Sequence, residues 1–129
     1  MNVPDLSQAA DAGVHDWHGS PDALKSAAGA AKLRFCSIDL HGVVSKTDLM
    51  AALAKGLKLP DHFGSNWDAL ADSLEDSDWL GPHGIVAVMR HSAAYHKAHA
   101  ADWETLMDIF SEAAEYWHDV HKPFWVFVA

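Results

Sequence analysis

The stretch Leu59-Pro60-Asp61-His62-Phe63-Gly64-Ser65-Asn66-Trp67-Asp68-Ala69-Leu70-Ala71-Asp72-Ser73-Leu74 decides how this chain is read. Pro60 stops whatever helix precedes it, and residues 61–65 read as a loop in which Gly64 permits a positive φ. Ser65 or Asn66 then caps a new helix. Along that helix Trp67, Leu70, Ala71 and Leu74 fall at i, i+3, i+4 and i+7, one apolar face. Asp68, Asp72 and Glu75 line the neighbouring face. Like charges one turn apart cost a helix a few tenths of a kcal/mol. Asp68 sits in the first turn, where the helix dipole favours an anion by about 0.3–1 kcal/mol; Asp72 receives much less of that help. A solvated polar face or a binding surface would each account for it.

Outward from this stretch, strands alternate with helices. Toward the N-terminus, Leu49, Leu53 and Leu57 recur every fourth residue, a helix capped by Ser45 or Thr47 and closed near Lys58. Before it, Leu33–Leu40 reads as a strand, preceded by a helix from Pro21 to about Ala28 with Ser20 as its cap. Gly13–Trp17 suits a short strand, and residues 1–12 read as a loose arm without chemistry. Toward the C-terminus, Gly81-Pro82 ends the acidic segment and Ile85–Arg90 reads as a buried strand. His91–Ala101 suits a short helix and Asp102 to about Val120 a long one capped by Asp102, which buries Trp103, Leu106, Ile109, Phe110, Ala113 and Trp117. Phe124–Val128 closes the chain as a strand. Such alternation predicts an α/β fold: a short three- to four-stranded parallel sheet covered by helices.

Size and charge narrow the function. At 129 residues, half of them apolar, the chain fits one domain with one core and needs no disulfide or metal to fold. Its lone cysteine, Cys36, excludes an internal disulfide, a CxxC pair and a four-cysteine zinc site. No apolar run reaches the roughly 18–20 residues of a membrane span. The opening MNVPDLSQAADAG lacks a basic start and a hydrophobic stretch, so the expectation is a soluble cytoplasmic protein that is monomeric when free. Nine basic residues against eighteen acidic ones give a formal net charge of −9, which argues against nucleic acid as a partner and for a basic protein. That charge is concentrated: between Lys58 and Arg90 there is no lysine or arginine, while Asp61, Asp68, Asp72, Glu75, Asp76 and Asp78 all fall there. Their fields add instead of cancelling.

Catalytic readings fare less well. Asp68 and Asp72, with His62, could hold a divalent ion or act as acid and base, but two carboxylates are only two ligands, and no basic residue nearby would steady a substrate oxyanion. The pairs His15/His18, His96/His99 and His118/His121 share a spacing of three, yet none matches HExxH. Cys36 sits mid-strand among apolar neighbours, as an inert buried thiol does. The six tryptophans read as core, although Trp79, beside acids and a Gly-Pro turn, also suits a binding aromatic. No GxGxxG, GxxxxGK[ST] or GxSxG is present, and no cofactor is expected.

The stretch quoted above closely resembles the signature of the barstar family: LP, an acidic residue, two mostly aromatic residues, G, x, N, a hydrophobic residue, then DALxDxL. The similarity continues through LKLP before it and LMDIFSEA and the last strand after it, covering residues 33–129 and leaving residues 1–30 as an extension with an extra strand and helix. The resemblance implies a barstar-like fold and an inhibitor, not an enzyme, that plugs the cationic active site of a basic, secreted, guanyl-preferring ribonuclease of the barnase class. By the family motif Asp72 enters the phosphate site, Asp68 makes a second acidic contact, Asn66 and Gly64 belong to the positioning loop, and Glu112 is a further acidic contact. His62, Phe63, Ala71 and Glu75 complete the expected face. Ala71 and His62 stand where the compact inhibitor carries a tryptophan and a tyrosine. That departure implies a different cognate ribonuclease, or an immunity or regulatory module for another basic protein or toxin. At His62 it also adds a proton switch, with affinity expected to fall between about pH 7 and 5.5.

Overall fold

The computed structural model describes residues 3–60 and 63–129. Four strands, β1 (Gly13–Asp16), β2 (Arg34–Asp39), β3 (Ile85–Arg90) and β4 (Phe124–Val128), form one parallel sheet in the order β1-β4-β3-β2. In register, Arg34 lies opposite Ile85 and Asp39 opposite Arg90, while Ile85 faces Phe124. Among the described residues six α-helices connect and cover the strands, after a 3-10 turn at Ala9–Asp11: α1 (Pro21–Ala30), α2 (Lys46–Leu57), α3 (Trp67–Leu74), α4 (Ser77–Leu80), α5 (Ala93–Ala98) and α6 (Ala100–His118). The expected α/β architecture is the one observed, with the fourth strand present.

Local chemistry places the helix ends. The Ser20 hydroxyl accepts from the Asp22 N–H with Pro21 in the first helical position, and the Ser45 hydroxyl accepts from the Asp48 N–H, so Ser45 is the cap of α2. Lys58 closes α2 in the left-handed conformation at φ 55°. Two expectations are corrected nearby. His99 interrupts the C-terminal helical region, so Asp102 is not a cap; it lies in the first turn of α6, where it accepts from the Tyr95 hydroxyl at 3.4 Å. The short turn α4 was not anticipated, because four residues cannot display a helical period. Asp76 caps it, its carboxylate accepting from the Asp78 N–H at 2.8 Å.

Both sheet faces are covered, which is why Ile85–Met89 is buried without alternation. One face packs Ile38, Ile85, Met89 and Phe124 under α2–α6, through Leu49, Leu53, Leu57, Leu70, Leu74, Leu106 and Phe110. The opposite face carries Val86, Val88, Trp125 and Phe127, and is closed by Leu6, Trp17, Leu24, Ala28 and Leu33. The arm is therefore not loose: Leu6 is buried, and its carbonyl accepts from the Trp125 indole at 2.8 Å. At Gly56 in α2, an added Cβ would come within 2.9 Å of the Ser37 carbonyl oxygen and the Ile38 Cα, so the helix rests on β2 backbone to backbone.

Candidate functional site

Asn66 sets up the acidic helix α3. Its side-chain oxygen accepts from the Ala69 N–H at 2.8 Å, and its amide donates to the Gly64 carbonyl at 3.3 Å, tying loop to helix. Among the described residues of the loop the left-handed one is Ser65, at φ 54°; Gly64, which the sequence reading allowed a positive φ, does not adopt one. The apolar face is sunk as the spacing predicts: Leu70 and Leu74 are fully buried, while Trp67 and Ala71 are half-buried. Across α3, the Trp117 indole of α6 donates to the Leu74 carbonyl at 2.7 Å. On the approach to α3, the Trp79 indole donates to the Leu57 carbonyl at 2.8 Å, and the Arg34 guanidinium donates to the same oxygen at 3.1 Å and to the Trp79 carbonyl. Trp79 is a buried core residue whose ring also lines the cavity beside α3.

The outer face of α3 is acidic. Asp68 and Asp72 are exposed, Glu75 is half-buried at the helix end, and none of them forms an ion pair among the described residues. Asp76 and Asp78 have a local reason to be acidic, since they cap and open α4. Asp72 has none: it lies toward the C-terminal end of an eight-residue helix, where the dipole disfavours an anion. Phe63 is half-buried and Gly64 exposed beside this face, and a cavity of about 240 Å³ lies between Phe63, Asp72, Asp76 and Trp79. Glu112 is exposed on α6, the helix that packs against α3. Asp61 and His62 lie outside the described residues. A cation the spacing did not foretell borders the site: the Lys46 ammonium at the start of α2 sits 5.2 Å from the centre of the Trp67 ring.

Several of the remaining histidines are held in local contacts. The His96 ring stacks on Trp103 with centroids 4.9 Å apart, His99 donates through Nε2 to the Val44 carbonyl at 2.9 Å, and His15 donates to the Asp11 carbonyl at 2.9 Å. Among the described residues no three His, Cys, Asp or Glu side chains gather as a metal site requires. Burial pushes the Cys36 thiol above its ordinary pKa, the opposite of a nucleophile's setting. Among the described residues no helix is long and apolar enough to cross a membrane.

With α3, its capped loop and α6 in place, comparison with known families bears directly on the site. A family model described as Barstar (barnase inhibitor) matches residues 33–129. The chain belongs to the Barstar family. The matched region holds β2–β4, α2–α6 and the acidic face, whereas β1 and α1 precede it. No curated protein matches the chain.

Proposed function

We propose that this Barstar-family protein is a reversible, non-enzymatic inhibitor of a basic secreted ribonuclease of the barnase class, or of a closely related basic toxin. The observation that carries the reading is the exposed pair Asp68 and Asp72 on a rigidly capped helix, free of ion pairs among the described residues. A ribonuclease site holds phosphates with arginine, lysine and histidine. Carboxylates fixed one turn apart occupy the same positions and exclude RNA. In this assignment Asp72 enters the phosphate site and Asp68 lies beside it. Phe63, Gly64, Asn66, Ala71, Glu75 and Glu112 surround them, with His62 as the proton-sensitive contact. The whole chain acts as one unit, monomeric when free and working in the cytoplasm, with no cofactor and no direct contact to RNA.

The test is inhibition of a barnase-class ribonuclease by the purified protein at low and high salt, with Asp72→Ala alongside. A charged hydrogen bond is worth about 1.5–3 kcal/mol, so the variant should bind roughly 10- to 150-fold more weakly, and inhibition by the parent should weaken with salt. Absence of inhibition by the parent sinks the ribonuclease assignment. Ala71 and His62, in place of two aromatic contacts of the compact inhibitor, favour a second reading in which the target is another basic protein, found by capture from the native host.

A further inference from the structure

The chain is strongly acidic, yet one long groove is not. It runs along the outer edge of β2, between α1 and α2, with a volume of about 860 Å³. Lys25, Lys55, Lys58 and Arg90 line it, four of the nine basic residues of the whole sequence. Lys55 and Lys58 are neighbours at the end of α2, but Lys25 and Arg90 are far from them along the chain and join them only because α1 and α2 flank β2 on opposite sheet faces. Asp39 is the one acid in the lining, and it is already engaged: His91 Nδ1 donates to it at 2.7 Å and the Arg90 guanidinium lies 3.7 Å away. Lys25, Lys55 and Lys58 have no ion-pair partner among the described residues.

The wall between these cations is open backbone. β2 ends the sheet, paired only with β3. Arg34 donates to the Gly84 carbonyl and Leu40 to the Arg90 carbonyl. In a parallel ladder this parity turns the N–H and C=O groups of Phe35, Ser37 and Asp39 away from β3, into the groove. Such an edge is a template for one more strand. At Gly56 the backbone of α2 comes up against the Ser37 carbonyl oxygen, within 2.9 Å of where a Cβ would stand, so the helix covers that one acceptor and leaves the other outward groups to the groove.

We propose that the β2 edge is a second docking site, distinct from the acidic helix, and that it takes an extended acidic segment of a partner protein as an added strand. The backbone supplies the outward N–H groups of Phe35, Ser37 and Asp39 and the carbonyls of Phe35 and Asp39, while the Ser37 carbonyl lies against α2. The lysines of α1 and α2 meet carboxylates on the two faces of the incoming strand, since its side chains alternate. A strand fits this wall better than RNA does. Phe35 and His41 are the only rings in the lining, at opposite ends of β2, so successive bases have no continuous stacking platform.

The probe is a fluorescein-labelled hexapeptide of alternating glutamate and valine, followed by anisotropy against the full chain, with a hexapeptide of lysine and valine and a six-nucleotide RNA as parallel arms. The acidic peptide should bind, and hydrogen exchange at the amides of Phe35, Ser37 and Asp39 should slow on binding. Lys25→Gln with Lys55→Gln, both exposed, should weaken binding at least tenfold. Ser37→Pro should do the same by removing an outward donor while every charge remains, although Arg90 also loses the Ser37 hydroxyl that accepts from its Nε at 2.8 Å, because proline is tolerated where the N–H faces away from the ladder. No anisotropy change up to about 1 mM peptide, which corresponds to about −4 kcal/mol, overturns the proposal. So does equal binding by the RNA or by the lysine peptide, or unchanged binding by both variants. The double lysine variant leaves α3 intact and should still inhibit the ribonuclease, so failure here and failure of the inhibitor reading are told apart.

Discussion

The two faces of the sheet are closed by different parts of the chain. The face under α2–α6 is sealed by residues within the family match, which begins at residue 33. The other face, bearing Val86, Val88, Trp125 and Phe127, is sealed largely by Leu6, Trp17, Leu24 and Ala28, all before it. The acidic helix stands on the first face, and the N-terminal segment reaches that side only at α6, which residues 9–16 contact directly. The contrast separates what presents the site from what keeps the sheet dry.

Removing residues 1–30 should break the comparison outright. Burying a large apolar side chain is worth about 1.5–3 kcal/mol, so losing Leu6, Trp17 and Leu24 together approaches the whole stability of an ordinary domain, about 5–15 kcal/mol. The truncated chain should lose its cooperative melt by circular dichroism; a sharp transition near that of the full chain would mean that the second face needs no cover. Leu24→Ala is a gentler version, expected to cost about 2–5 kcal/mol in urea unfolding while Asp72-dependent inhibition persists in the folded fraction. On the other face, Trp117→Phe keeps the aromatic bulk but leaves the Leu74 carbonyl without its indole donor, at a cost of about 1–3 kcal/mol. Unlike Leu24→Ala it should weaken inhibition as well, because it loosens the end of α3. Equal effects of the two on inhibition would erase the distinction between the faces.

The smallest effect lies at the edge of the sheet. The hydrogen bond from the His91 side chain, with the His41 N–H and the Arg90 charge, holds the Asp39 carboxyl below its ordinary pKa. The folded state thus binds the proton less readily than the unfolded chain, whose aspartate titrates near about 3.9. The stabilisation from this group is present above that value and is lost as pH falls through the lower, folded one. Asp39→Asn should therefore lower the Tm slightly at pH 7 and not at all at the most acidic pH where the protein still folds. A deficit that persisted unchanged into acid would show that the carboxylate's charge is not what matters.

What could be read from sequence follows the range of each interaction. The capped helix at Asn66, the four strands and the buried stripe of Leu70 and Leu74 rest on neighbours within a turn or two, and periodicity displays them. Leu6 reads as part of a loose arm because its partner, Trp125, is at the other end of the chain. Trp79 was ambiguous for the same reason, since its indole is spent on Leu57 across the loop. The basic groove is not displayed by the sequence: apart from Lys55 and Lys58, three residues apart, its cations share no spacing, and only the packing of α1 and α2 about β2 brings Lys25 and Arg90 to them. The acidic face was legible because its residues are adjacent, and because Asp72 is acidic where helix physics alone gives it no reason to be.

Two indole N–H groups grip the backbone on either side of the acidic helix, Trp79 at the Leu57 carbonyl and Trp117 at the Leu74 carbonyl. In mechanical terms α3 is a beam clamped at its far end and braced at its approach, with Asn66 as a rivet between loop and helix. The loss of chain freedom needed to aim its carboxylates is therefore incurred once, when the protein folds. A partner arriving later meets a surface already set, and the entropy that a flexible acidic loop would surrender at each encounter stays out of the binding equilibrium.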